Sequence, residues 1–262
     1  MWNGAEILRE KWRAGRFVTG FAVTLPAPEL SEMAAWAGYD FVFVDMEHPP
    51  MSRETAARHV AAAQGGSVPA LIRVRGTEPN MLKSILDMGP DGVIFPFIHT
   101  ARDARAAVAA CSYPDGAYRG VRGQGPQRAV RWGFGDSAGY LRDPGQYLLR
   151  IMQIESWEGW QALDEILAVP GVDGVYLGPA DLGRSLLAHA DDAPPPLEEV
   201  CTAVIRRVSR AGKWMGAPLP PDKTAIAAVQ DQGVRWGVCG IDIDLLSTGM
   251  RQCLSETKSF SN

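Results

Sequence analysis

Residues 40–74 read DFVFVDMEHPPMSRETAARHVAAAQGGSVPALIRV. The stretch opens on a short apolar run, Asp40–Val44, and closes on another, Pro69–Val74. Such runs, apolar throughout, are expected of parallel strands covered on both faces. Between them, Ser52 offers a helix cap and Ser52–Gln64 reads as a helix. Strand, helix and strand in this order make one parallel crossover unit.

The same order recurs on both sides of it. The other expected strands are Phe17–Thr24, Gly92–Pro96, Tyr147–Ile154, Gly174–Leu177, Trp214–Ala217 and Val234–Val238. The other expected helices are Ala27–Ala37, Glu78–Met88, Thr100–Cys111, Trp157–Ala168, Pro196–Ala211, Pro221–Gln232 and a last one from Ile241 to about Glu256. Glycine recurs just before a strand, in AGYDF, MGPDGV, PGVDGV and QGVRW, where it ends one helix so that the next strand follows at once. Eight strand–helix units in about 250 residues are the signature of a (β/α)8 barrel. An open doubly wound sheet would show a glycine-rich phosphate turn after the first strand, and here that strand runs into TLPAPE. The units use nearly all 262 residues, so one barrel domain, 1–262, is expected rather than two small domains.

Composition narrows the function classes. With 46% apolar and 21% charged residues the chain is an ordinary globular one, not a disordered one. No apolar run approaches ~18 residues, so no membrane span is expected. The start, MWNGAEILREKWRAG, has acids and bases at helical spacing and no apolar export core. The net charge of −4, with no basic run, argues against nucleic acid. Cys111, Cys201, Cys239 and Cys253 form no C-x-x-C pair and read as reduced, mostly buried thiols of a cytoplasmic protein. His48, His59, His99 and His189 form no H-x-x-x-H pair, so any metal would rest mainly on carboxylates. Two stretches read as surface loops: Tyr113–Tyr140, long enough to be functional, and His189–Pro196, which places His189 in solvent.

In a barrel the chemistry sits at the C-terminal ends of the strands. Those ends carry Asp45, Glu47 and His48; Arg73 or Arg75; Gln153 and Glu155; and Asp181 in the turn GPAD. Glu155 and Asp181 suit a hard divalent ion, although ion pairs with barrel arginines, or a capping role for Asp181, would account for them too. The N–H groups of Ala180 and Asp181 would open a helix toward the rim and could hold a carboxylate, with Pro179 fixing the turn. His48 is the natural general base, or else a solvated rim histidine. Arg73 would stabilise an enolate or carboxylate oxygen, or pair with Asp45 or Glu47.

DFVFVDMEHPP, LIRV, KSILDMG, YRGVRG, MQIES and LGPADL occur in that order across nearly the whole chain. Together they resemble the metal-dependent, pyruvate-specific class II aldolases. This is the 4-hydroxy-2-oxoheptanedioate aldolase family, which includes 2-keto-3-deoxy-sugar-acid aldolases and is related to citrate lyase beta-type barrels. The resemblance implies a phosphoenolpyruvate/pyruvate-type barrel with Mg²⁺ or Mn²⁺, or Co²⁺, on Glu155 and Asp181. Pyruvate, or oxaloacetate or hydroxypyruvate, would be held with the help of Gln153, Gly178, Pro179 and the amides of Ala180 and Asp181. His48 would be the base, working through water. Arg73 would stabilise the enolate, and Asp45 would belong to the same catalytic set. An aspartate matching Asp87 would support the histidine, yet it ends a helix and so faces the other end of its own barrel. It would have to come from a neighbouring subunit. The family also implies a homo-oligomer, a trimer of dimers, with the last helix exchanged between subunits. One departure is Phe21, at a place where many members carry tryptophan. The loops 113–140 and 187–196 are peculiar to this chain and would shape the pocket of a small aldehyde.

The expected activity is therefore cleavage of a 4-hydroxy-2-oxo acid to pyruvate and a non-phosphorylated aldehyde, since no cluster of Lys and Arg marks a phosphate site. No lysine stands at a strand end, which argues against a Schiff base. Alternatives on the same residues are decarboxylation of oxaloacetate and a non-catalytic keto-acid binding protein.

Overall fold

The computed structural model describes residues 2–116, 118–134 and 137–258. Eight parallel strands close on themselves in chain order, each bonded to the next and the eighth to the first. They are β1 Val18–Val23, β2 Phe41–Asp45, β3 Ala70–Arg73, β4 Gly92–Phe95, β5 Leu149–Ile154, β6 Gly174–Leu177, β7 Trp214–Pro218 and β8 Val234–Ile241. The helices are α1 Gly4–Arg13, α2 Glu29–Ala37, α3 Arg53–Gly65, α4 Pro79–Asp87, α5 Ala101–Ala110, α6 Ser137–Arg142, α7 Trp157–Gln161, α8 Leu163–Leu167, α9 Pro179–Ala188, α10 Leu197–Arg210, α11 Lys223–Gln232 and α12 Asp242–Lys258. The expected (β/α)8 barrel is thus the fold. Among the described residues no helix is long and apolar enough to cross a membrane.

Alternation along the strands divides the core into two layers. Val42, Val44, Ile72, Val93, Phe95, Met152 and Ile154 face outward and pack with the helices. Phe41, Phe43, Leu71, Ile94, Leu149, Ile151, Tyr176 and Trp236 fill the barrel. Two strand glycines make room for the largest of them. A Cβ on Gly20 would lie 2.0 Å from the Phe41 ring, and one on Gly216 would lie 2.0 Å from the Trp236 ring.

Helix α1 closes the N-terminal end of the barrel. Its apolar face is what the helical spacing of the first residues requires. Ala5 and Leu8 are fully buried, and the Trp12 ring lies 4.2 Å from Trp214 and 6.5 Å from Trp236. Arg9 donates to the carbonyls of Gly145 and Gln146. Asp91, at the foot of β4, accepts from Trp2 Nε1, Gly4 N, Gln64 Nε2 and Ala70 N at 2.7–3.0 Å, which ties the plug to the strands.

Several boundaries differ from expectation. The segment 157–168 is two short helices, because Ala162 leaves helical geometry at φ −82, ψ 7. Two helices, α9 and α10, stand between β6 and β7: the one expected to open at Ala180 and Asp181 and the one expected at 196–211. β8 runs on to Ile241, which pairs with Ala22 after a register shift, so α12 starts at Asp242. The loop 113–140, of which residues 117, 135 and 136 lie outside the described set, holds a 3-10 turn at Arg128–Gly133 and the start of α6. Among the cysteines, Cys253 is exposed and Cys201 half-buried, whereas Cys111 and Cys239 are buried.

Candidate active site

The inward residues change character toward the C-terminal end of the barrel. On β2, Phe41 and Phe43 give way to Asp45; on β3, Leu71 gives way to Arg73; on β5, Leu149 and Ile151 give way to Gln153, with Glu155 just beyond. Asp45, Gln153 and Glu155 are each at most 3% exposed. A buried carboxylate costs folding energy unless it is paired, so each one calls for a partner.

Asp45 and Arg73 are register partners on neighbouring strands, which sets their side chains side by side. Arg73 Nε donates to Asp45 Oδ1 at 2.9 Å and Nη2 to Oδ2 at 2.8 Å, a two-pronged pair. Burial alone would lower the Arg73 pKa. The hydrogen bonds and charge of Asp45, with the charge of Glu47, outweigh it and hold the guanidinium above its ordinary value. Glu47 N also donates to Asp45 Oδ1 at 3.0 Å. Arg75, which alternation alone did not separate from Arg73, points elsewhere. It braces the β2 loop through the carbonyls of Met46 and Pro49.

Glu155 Oε1 accepts the N–H of Phe97 at 2.8 Å, and the Gln153 amide donates to Oε2. Burial raises its pKa, and the Asp181 charge raises it further, against those two hydrogen bonds and Arg73. Asp181 is half-buried on the first turn of α9. The first N–H to close that helix is that of Leu182, on Gly178 O, and Gly178 has no side chain to cap Ala180 and Asp181. A Cβ on Gly178 would fall 2.7 Å from the Glu155 Cβ and 2.8 Å from Oε2, so only glycine leaves this corner open. Gln153 Oε1 and Glu47 Oε2 are buried with no hydrogen-bond partner. Among the described residues no three His, Cys, Asp or Glu side chains gather as a metal cluster. The available donor set is the two carboxylates, Glu155 and Asp181.

His48 lies on the rim with its side chain 64% exposed, and Nε2 is 3.8 Å from Glu47 Oε2. The carboxylate beside it is therefore that of Glu47, with Asp45 committed to Arg73. Asp87 ends α4 at the other end of the barrel. There its Oδ1 meets Arg122 Nη2 at 3.2 Å, and Arg122 lies over the rings of Tyr113 and Tyr140. The chain does not bring Asp87 to His48. Phe21 belongs to the outer layer, its ring 5.2 Å from Tyr39, and the inward residue at that level is Ala22. His59 is fully buried against Ser31 Oγ and Leu25 O. His189 is half-buried rather than free in solvent, bonded to Ser185 O and stacked on Trp157. The sequence holds no signal for Phe97, whose contribution is a backbone N–H held at φ +53, whereas Glu47 takes the expected place of an Arg73 partner, its Oε2 3.2 Å from Arg73 Nε.

The fold and this mouth define a (β/α)8-barrel protein whose rim gathers carboxylates around one half-buried arginine. The chain belongs to the HpcH/HpaI aldolase/citrate lyase family, whose model matches residues 18–246. It is 34% identical over 260 residues to 2-keto-3-deoxy-L-rhamnonate aldolase of Escherichia coli K12, covering 97% of this chain and 94% of that one. It is 31% identical over 246 residues to hydroxypyruvate/pyruvate aldolase of Roseovarius nubinhibens, covering 94% of each. Among solved structures, an HpcH/HpaI aldolase/citrate lyase family protein from Burkholderia cenocepacia J2315 superposes with a TM-score of 0.83 at 31% identity, covering 96% of this chain and 98% of that one.

Proposed function

We propose that this protein reversibly cleaves a 4-hydroxy-2-oxo acid to pyruvate and a non-phosphorylated aldehyde, with a divalent cation, Mg²⁺ or Mn²⁺ or else Co²⁺, held by Glu155 and Asp181. The observation that carries this reading is a charge surplus. Asp45, Glu47, Glu155 and Asp181 gather at one barrel mouth, and Arg73 is the half-buried cation among them. Arg73 is already neutralised by Asp45 and Glu47, so Glu155 and Asp181 keep their charge for something that is not part of the chain. The unpartnered Gln153 Oε1 and the open corner at Gly178 fit a ligand set completed by substrate and water.

A bound divalent cation supplies a Lewis acid for the enolate oxygen. Ala180 N–H and Asp181 N–H, at the start of α9, hold the pyruvate carboxylate, and Pro179 fixes that turn. Arg73, locked in direction by Asp45, stabilises the negative charge that develops on the enolate. His48 receives the proton of the 4-hydroxyl, through water, and returns protons to solvent. Lys83 lies in α4 and Lys213 Nζ is bonded to Val172 O below the barrel, so neither is placed to form a Schiff base. The name of the hydroxypyruvate/pyruvate aldolase relative supports the pyruvate half of the reaction, and that of the 2-keto-3-deoxy-L-rhamnonate aldolase supports a 2-oxo acid as substrate.

Asp87 enters only through a neighbouring subunit. An oligomer that exchanges α12, such as a trimer of dimers, is supported by the bare apolar residues of that helix: Ile243, Leu245, Leu246, Met250 and Leu254 are 42–68% exposed. The decisive experiment measures pyruvate release from 4-hydroxy-2-oxo acids before and after EDTA, with and without borohydride. Activity that vanishes with EDTA, returns with Mg²⁺ or Mn²⁺ and ignores borohydride is the expected result. Activity that survives chelation, or is trapped by borohydride, removes this mechanism.

A further inference from the structure

The general base assigned above sits in an odd place. In the single chain the His48 ring is mostly exposed, whereas Arg73, which marks the reacting oxygen, is half-buried with 14% of its side chain exposed. One ionisable group lies between them. The Glu47 side chain is 9% exposed, and its Oε2 is 3.2 Å from Arg73 Nε on the inner side and 3.8 Å from His48 Nε2 on the outer side. Yet Oε2 has no hydrogen-bond partner, because the Arg73 Nε–H is already given to Asp45 Oδ1. The other end of the carboxylate's environment is rigid. Its own backbone N–H is tied to Asp45, and Arg75 holds the Met46 carbonyl just before it. A buried carboxylate oxygen left without a donor, in a rigid loop, is costly to keep and needs a use.

We propose that Glu47, in place of a bridging water, is the proton carrier between the reacting substrate and His48, a role that rests on the aldolase reading. In cleavage the substrate 4-hydroxyl gives its proton to the Glu47 carboxylate. The O–H electron pair forms the aldehyde C=O, the C3–C4 bond breaks, and its pair becomes the pyruvate enolate. Glu47 then passes the proton to Nε2 of neutral His48, which releases it to water. The enolate takes one proton from water at C3, so no proton is gained or lost overall. In the direction of synthesis each transfer reverses.

The two members differ in exposure, and that difference supplies the test. Wild type, Glu47→Gln, Glu47→Asp and His48→Ala are each loaded with Mn²⁺. Cleavage of a 4-hydroxy-2-oxo acid and exchange of pyruvate methyl protons with deuterium are then measured, with and without added imidazole. Loss of a proton-transfer group is worth about a hundredfold or more. Glu47→Gln should lose that much in the kcat of cleavage, with KM for the 4-hydroxy-2-oxo acid changed less than threefold and methyl-proton exchange kept, and imidazole should not restore the lost rate. Glu47→Asp, which keeps a carboxylate one methylene shorter, should recover part of the rate. His48→Ala should be restored several-fold by imidazole, since its place lies at the rim and not beside Arg73. An active wild type with an equally active Glu47→Gln overturns the relay alone. So does a Glu47→Gln whose loss lies wholly in KM, or one that imidazole rescues. A wild type with neither cleavage nor exchange overturns the relay together with the aldolase reading.

Discussion

The two ends of the barrel treat buried polar groups in opposite ways. At the floor, the Asp91 carboxylate has four N–H donors on its two oxygens, and α1 covers it. Among the described residues the unpaired buried atoms toward that end are donors, Trp12 Nε1, Trp236 Nε1 and Arg122 Nε. At the mouth, the unpaired atoms are acceptors: Gln153 Oε1 and Glu47 Oε2, beside a Glu155 whose charge is opposed by that of Asp181. The floor satisfies its carboxylate within the chain and makes a stable plug. The mouth leaves negative charge and lone pairs over, which a cation and a substrate would satisfy. Stability and chemistry therefore separate along one axis, as the fold allows.

The sharpest way to break that separation is to damage each end in turn. Trp12→Ala empties the packed floor, where the ring meets Trp214 and Trp236. Removing a buried Trp costs about 3–5 kcal/mol, so the melting temperature should fall by roughly 10 °C. The kcat of the folded fraction, measured well below that transition, should stay within twofold of wild type. A large loss of kcat would mean that the floor reaches the site. Glu155→Gln is the converse. It keeps the shape and removes one of the two proposed cation ligands. Several kcal/mol of charge stabilisation would go with it, so kcat/KM should drop about a thousandfold. Because burial and Asp181 raise the Glu155 pKa, its ionised form opposes folding at neutral pH. The metal-free Glu155→Gln protein should thus melt at the same temperature as metal-free wild type or a few degrees above it. A clear drop would show that Glu155 is structural.

This asymmetry explains which parts could be foreseen from residues 40–74 and their neighbours. The barrel could, because eight apolar runs, each followed by a helical segment, are a long-range pattern that local noise does not erase. Asp45, Arg73, Gln153 and Glu155 could, because charged or amide side chains at the ends of buried strands stand out against Val, Ile and Phe. Three things could not. The hold of Phe97 on Glu155 is a backbone N–H, which any residue carries. The choice of Glu47 over Asp45 as the neighbour of His48 depends on Asp45 being spent on Arg73, a fact of register between two strands. The outward direction of Phe21 depends on which alternate residues of β1 face inward, and Phe and Ala at 21 and 22 satisfy either phase.

The smallest expected effect tests the floor itself. Four hydrogen bonds favour the ionised Asp91, but complete burial opposes it more strongly, and the pKa is pushed up to about 6. A carboxyl that binds its proton more tightly when folded stabilises the fold while protonated. Its contribution is fully present below the unfolded value near 3.8 and is lost as pH rises through about 6. Two pKa units correspond to about 3 kcal/mol, an upper figure for one buried group. Asp91→Asn cannot titrate, so the comparison of its urea unfolding with that of wild type at pH 4, 5, 6 and 7 isolates the effect. The stability of wild type relative to the variant should decline across this range by up to that amount and then level off. If it climbs instead, the four donors outweigh burial, and the floor holds a true carboxylate through its own N–H groups. That outcome would sharpen the contrast between the two ends. A charge satisfied by the chain would then sit at one end of the barrel, and charges left for a cation at the other.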